Sequence, residues 1–306
     1  MTKWNILKQG DIVDIIAPAH GVSDSEIAAS HNYIKSIGLT PRIPDNLIGE
    51  SLFHSNTYDV RLNHLKNALS AEDSVAVWCI RGGYGTANLL HELSDLQKPA
   101  QPKLVIGFSD ITALHIFVNQ KWGWSSLHGP VLWQVANNVI SEKSKTDLEN
   151  VIFGRNSKQK FELTKMNNAP SDNIESSITG GNLTIIQNSI GTSWQIQPEN
   201  KILLLEEVDE EPYKIDRSLN HLKQSGIFND ATAIIFGDLT ASKEHLFSDK
   251  LYSQKIDLTL KDFAREAYIP VFRIENIGHG DINHPIALNT NAALQNNILT
   301  IDNGSK

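Results

Sequence analysis

The sequence predicts an α/β protein, with a helix-covered parallel sheet in its first half and a mixed α+β second half. Two observations carry this. Short β-branched apolar runs alternate with amphipathic stretches through residues 11–150, the pattern of strand, loop, helix and strand. The texture then turns polar and aperiodic over residues 154–173, GRNSKQKFELTKMNNAPSDN, before a second set of strands begins. These bounds divide the chain into residues 1–153, a linker over 154–173, and residues 174–306.

In chain order, DIVDIIAP (11–18) reads as a buried strand. Ser23 and Glu26 form a capping box for a helix that runs to about Ile37, where Gly38 ends it. TPRI (40–43) is a short strand, and YDVRLNHLKNAL (58–69) sets Val60, Leu62, Leu65 and Leu69 near one helical face. SVAVWCI (74–80) is a buried strand followed by the loop RGGYG and a helix from about Thr86. KLVIGF and the helix after Ser109 repeat the plan. The second half holds the strand KILLLEEV (201–208), a helix around 213–226, the strand ATAIIFG (231–237), and closing strands at 269–274 and 297–302.

Composition narrows the function. Acidic residues outnumber basic ones 35 to 27, for a net charge of −8, and no Lys/Arg run interrupts this. Nucleic acid and anionic membranes are therefore poor partners. The single cysteine, Cys79, makes neither an internal disulfide nor a thiolate zinc site and fits a reducing compartment. The first residues lack the apolar core of a signal peptide, and no stretch reaches the roughly 18 apolar residues of a membrane span. The expectation is a cytoplasmic protein.

The chemistry centres on VIGFSDITALH (105–115). Ser109 sits where a buried strand meets a helix, the position of a nucleophile elbow, although the second glycine of G-x-S-x-G is missing. The competing reading makes Ser109 the helix cap, with Asp110 in the first turn. A nucleophilic serine needs a base and an orienting acid. Of eleven histidines, His31, His64, His91 and His221 lie on solvated helices, and His115 falls off the Ser109 face. His20 and His128 lie beside strand ends. His279, between two glycines in NIGHGDINHPIAL, is the most suggestive base. His279, Asp281 and His284 also permit a metal reading, but no second ligand cluster supports it. The acid is Glu206 or Glu207, which end an apolar strand and point to opposite faces. RGGYG (81–85) lacks the Lys-Ser/Thr of a P-loop. The amides of Gly83 and Asp110 are suited to an oxyanion hole at adjacent strand ends.

Together, GDIVDIIAPA, RGGYG, GFSDIT, LHGP, TGGNL, LLLEEVDEEPYKIDRSLNHL and GHGDINHPIAL resemble, in order and spacing, the LD-carboxypeptidases, serine peptidases that include the microcin C immunity hydrolases. The resemblance covers residues 10–302. It implies a flavodoxin-like N-terminal domain and a smaller β-rich C-terminal domain with the site between them. It also implies a Ser109–Glu206–His279 triad, an oxyanion hole at Gly83 and Asp110, and substrate contacts at Gly82, Gly181 and Asn182. A cytoplasmic homodimer is implied that releases D-alanine from murein tetrapeptide, with no metal or organic cofactor. This chain departs from the family at Asn88, where an arginine is common, and at Ala287, where a glycine is common. Two other readings are a peptidyl-nucleotide amidase, with Trp122, Trp124 or Trp133 receiving a base, and a silent cell-wall-peptide binding protein. Glu206→Gln is expected to lower kcat by about 10⁴-fold, with Glu207→Gln keeping much of it. The reverse order in steady-state assays would exchange their roles.

Overall fold

The computed structural model describes residues 1–171, 173–241 and 249–303. Its first sheet starts with β1 (Ile12–Ile16), followed by α1 (Asp24–Ser36), β2 (Thr40–Arg42), α2 (Tyr58–Ser70) and β3 (Ser74–Cys79). The capping box forms: Ser23 N donates to Glu26 Oε2 at 2.6 Å, and Glu26 N donates back to Ser23 Oγ at 3.4 Å. The helix expected from Thr86 is only a 3-10 turn, Ala87–Leu89, and α3 (Leu90–Leu93). Leu89, Leu90 and Leu93 are all buried, so this short segment already places its apolar residues, and two prolines follow before the next strand.

The chain continues through β4 (Leu104–Gly107), α4 (Thr112–Lys121), β5 (Ser126–His128), α5 (Leu132–Ala136) and α6 (Glu142–Ile152). The parallel strand order is β2-β1-β3-β4-β5, the flavodoxin-like order with its crevice at the carboxyl ends of the strands.

The second half begins earlier than the sequence indicates. The expected linker carries β6 (Lys158–Glu162) and β7 (Thr164–Lys165), which lie at the two edges of the second sheet. Edge strands leave one side to solvent and tolerate charge, so KQKFE reads as loop while pairing residue by residue with the last strand. Asp172, in the same stretch, lies outside the described residues. Next come β8 (Ile174–Asn182), α7 (Leu183–Asn188), β9 (Ile202–Val208), α8 (Pro212–Gln224), β10 (Ala233–Thr240), α9 (Asp249–Glu266) and β11 (Val271–Arg273). The final strands are β12 (Ile286–Leu288), β13 (Asn291–Gln295) and β14 (Ile298–Asp302). Among the described residues the second sheet runs β6-β14-β13-β8-β9-β10-β11-β7, with β8 to β11 parallel and the rest antiparallel.

A division at residues 154–173 is also crossed from the other side. β12 pairs antiparallel with β5 and becomes the sixth strand of the first sheet. The halves share one apolar core, in which Trp78, Ile106 and Leu127 join Ile178, Leu204 and Phe272. No helix among the described residues is long and apolar enough to cross a membrane. Leu204, in the middle of this core and 1% exposed, tests its contribution. Leu204→Ala should lower the unfolding free energy in urea by about 2–5 kcal/mol.

Candidate active site

The turn after β4 is built for an exposed side chain. Ser109 takes φ 61°, a left-handed conformation uncommon for a residue with a Cβ and costly unless its surroundings impose it. The helix-cap reading fails, because the N-cap positions fall on Phe108 and Ile111. Asp110 is the anchor of the turn. Its buried carboxylate accepts the Thr86 N–H at 2.8 Å, tying the loop after β3 to the loop after β4. Burial raises the Asp110 pKa, and the hydrogen bonds from Thr86 oppose that rise.

That bond brings RGGYG against the serine. A Cβ on Gly82 would stand 3.1 Å from Ser109 Cβ and 3.3 Å from its Oγ. Gly83 has φ +112°, and a Cβ there would meet His20 Cβ at 2.6 Å, so only glycine fits. His20 in turn donates its backbone N–H to the Gly82 carbonyl at 3.1 Å.

The acid and base come from the second half. Glu206 lies near the carboxyl end of β9 with no exposure to water, and the His279 Nδ1–H donates to its Oε2 at 2.7 Å. Burial alone would lower the His279 pKa, but the Glu206 charge and hydrogen bond more than offset it and raise the pKa above 6.5. Space for the carboxylate is made by two glycines: a Cβ on Gly237 or Gly278 would approach Glu206 Cβ to 3.1 or 3.3 Å. Glu207 faces the other way. It accepts from Asn182 Nδ2 at 2.8 Å, Thr184 N at 2.8 Å and Val208 N at 2.9 Å, and so holds the start of α7. The ambiguity left by alternating strand faces is thus separated by partners.

Gly181 and Asn182, expected as substrate contacts, have close partners within the chain. Both amide ends of Asn182 are engaged, Nδ2 with Glu207 and Oδ1 with the Ile185 N–H at 3.1 Å. A Cβ on Gly181 would meet Thr112 Oγ1 at 2.4 Å, and the same hydroxyl accepts the Asn182 N–H at 3.0 Å. These residues form the seam between the halves. His284 Nδ1 lies 2.8 Å from Asp147 Oδ2 and its Nε2 3.2 Å from Lys143 Nζ, so it has neighbours other than His279. Among the described residues no three His, Cys, Asp or Glu side chains cluster to hold a metal. Trp122 and Trp124 are buried against each other and offer no face to a nucleobase. Two residues outside the predicted site support it. His115 Nε2–H donates to the Gly107 carbonyl at 2.8 Å, and Asp238, pushed up to about 6 by burial, accepts the Asn276 N–H at the base of the His279 loop. Neither carries a sequence motif of its own. Phe108 packs its ring 4.5 Å from His279 and 5.9 Å from His128. His128, with no ring hydrogen bond to the described residues, is held at about 4 by burial.

Comparison with known proteins agrees with this architecture. Residues 13–129 match the LD-carboxypeptidase N-terminal domain and residues 175–294 the LD-carboxypeptidase C-terminal domain. A putative carboxypeptidase of Rickettsia conorii is 37% identical over 92% of this chain and 87% of its own. The murein tetrapeptide carboxypeptidase of Pseudomonas aeruginosa is 27% identical over 94% of each. The crystal structure of muramoyltetrapeptide carboxypeptidase from Oxalobacter formigenes superposes with a TM-score of 0.81 at 25% identity, over 95% of this chain and 98% of that one. Two domain matches in the right order and a relative of this similarity over nearly the full length have one reading: the chain belongs to the LD-carboxypeptidase family of serine-type peptidases.

Proposed function

We propose that this enzyme removes the terminal D-alanine from murein tetrapeptide by hydrolysing the L,D amide bond through an acyl-enzyme. The observation that carries the reading is the buried His279–Glu206 pair. With Nδ1–H engaged by the carboxylate, the His279 tautomer leaves Nε2 as a base. Nε2 takes the Ser109 hydroxyl proton as Oγ bonds to the carbonyl carbon. The amides of Gly83 and Asp110 receive the developing oxyanion. His279 then gives its proton to the departing amine as the C–N bond breaks, and water repeats the sequence to release the peptide. The similarity to the Pseudomonas murein tetrapeptide carboxypeptidase and the Oxalobacter muramoyltetrapeptide carboxypeptidase supports this substrate. We further propose a cytoplasmic homodimer acting on peptide fragments, in keeping with a net charge of −8 and one cysteine, which is buried.

Mass spectrometry of disaccharide-tetrapeptide incubated with enzyme tests the reading. Loss of one D-alanine with wild type and not with Ser109→Ala is expected. Equal cleavage by both would remove Ser109 as nucleophile, and cleavage by neither would remove the substrate. The pH profile is a second test. His279 works as a base only when neutral, so kcat/KM should fall as pH drops through a pKa above 6.5. Glu206→Gln removes the charge that raises this pKa, so its residual activity should persist to lower pH.

A further inference from the structure

We propose that Arg81 is the residue that recognises the free terminal carboxylate of the substrate, an assignment that rests on the carboxypeptidase reading above. A carboxypeptidase must distinguish a chain end from an internal peptide bond, and the only group unique to that end is a carboxylate. When one residue leaves, this carboxylate lies within about 4 Å of the attacked carbon. Its recognition calls for a cation beside the nucleophile, with planar paired donors giving the best fit.

Arg81 opens the RGGYG loop. It stands one Cα step, about 3.8 Å, from Gly82, whose own Cβ position is 3.3 Å from Ser109 Oγ. Its guanidinium carbon lies 4.6 Å from the centroid of the Trp133 ring, a cation–π contact that holds the charge over the ring without using an N–H donor in a hydrogen bond. The ring is itself held. Trp133 N donates to the Ile80 carbonyl at 2.9 Å, and its Nε1–H donates to Glu26 Oε1. Glu26 neighbours the Arg81 charge but has no hydrogen bond to it, since its other oxygen accepts Ser23 N at 2.6 Å and Ser23 Oγ at 2.9 Å. Among the described residues the Arg81 guanidinium has no hydrogen-bond partner.

The other arginine at this loop is not available. Arg61 is buried, with Nη1 donating to the carbonyls of Pro18 at 2.6 Å and Gly85 at 3.1 Å, and Nε to Asn56 at 3.2 Å. The capping box and Trp133 thus meet at one cation of the glycine loop that has no hydrogen-bond partner among the described residues, in a chain whose net charge would otherwise repel an anionic peptide.

The test separates recognition from turnover. In a Ser109→Ala background, calorimetry compares binding of the tetrapeptide with a free C-terminus and of the same peptide as a C-terminal amide. At least tenfold tighter binding of the acid is expected. Adding Arg81→Gln should reduce that preference at least tenfold, and Arg81→Lys should leave an intermediate value, since it keeps charge but loses the planar fork. No acid preference in Ser109→Ala, or a preference that survives Arg81→Gln, overturns the assignment. The murein reading is judged separately by D-alanine release from the enzyme with Ser109 in place. There, Arg81→Gln should act mainly on KM and lower the acid-to-amide ratio of kcat/KM.

Discussion

A carboxylate with no access to water has to be matched by a positive or hydrogen-bonding partner, because an isolated buried charge is strongly unfavourable. Glu206 imposes that condition on everything around it. β9 delivers it from the middle of the second sheet, flanked by β8 and β10. Gly237 and Gly278 lack side chains where a Cβ would crowd it, and His279 satisfies one oxygen at 2.7 Å. The histidine is held in one tautomer as a result. A requirement of folding thereby leaves the other ring nitrogen available, as the proposed base needs.

The serine side of the site follows a parallel logic with a different anchor. Ser109 sits in a left-handed conformation that an isolated chain rarely visits. The Asp110–Thr86 bond and the packing of Gly82 on Ser109 constrain it from two directions. The two anchors are then placed relative to each other by the seam at Thr112, Gly181 and Asn182 and by a core common to both halves. The halves are therefore poorly described as two bodies joined by a tether, and the placement of His279 relative to Ser109 is set by packing.

The parts legible in the sequence are those fixed by local rules. Ser23 and Glu26 announce a helix start by reciprocal hydrogen bonding, β3 and β4 announce burial by apolar runs, and Ser109 announces a corner by following a strand. Where the outcome depends on tertiary partners, the sequence is silent or misleading. Glu206 and Glu207 are both buried, so alternation alone cannot choose between them; Asn182 and His279 do. Asn182 looks available for a ligand but serves as an N-cap. The polar strands β6 and β7 look like linker because each has a neighbour on one side only. Family resemblance implied the grouping of Ser109, Glu206 and His279 that spacing left open, whereas the contact of Arg81 with Trp133 joins residues far apart in the chain and has no local signal.

β12 adds a matter of timing. The first sheet is completed by residues 286–288, nearly at the end of the chain, which cover the free edge of β5. During synthesis the N-terminal strands therefore emerge long before their last neighbour, and β5 remains an open edge able to pair wrongly with another nascent chain. His279 arrives only seven residues ahead of that closing strand. Ser109 and His279 are thus placed relative to each other in the same late interval in which the sheet is sealed. A ribosome-bound fragment that ends before His279 carries Ser109 without the Glu206–His279 pair, so the proposed chemistry waits on the same segment that seals the sheet.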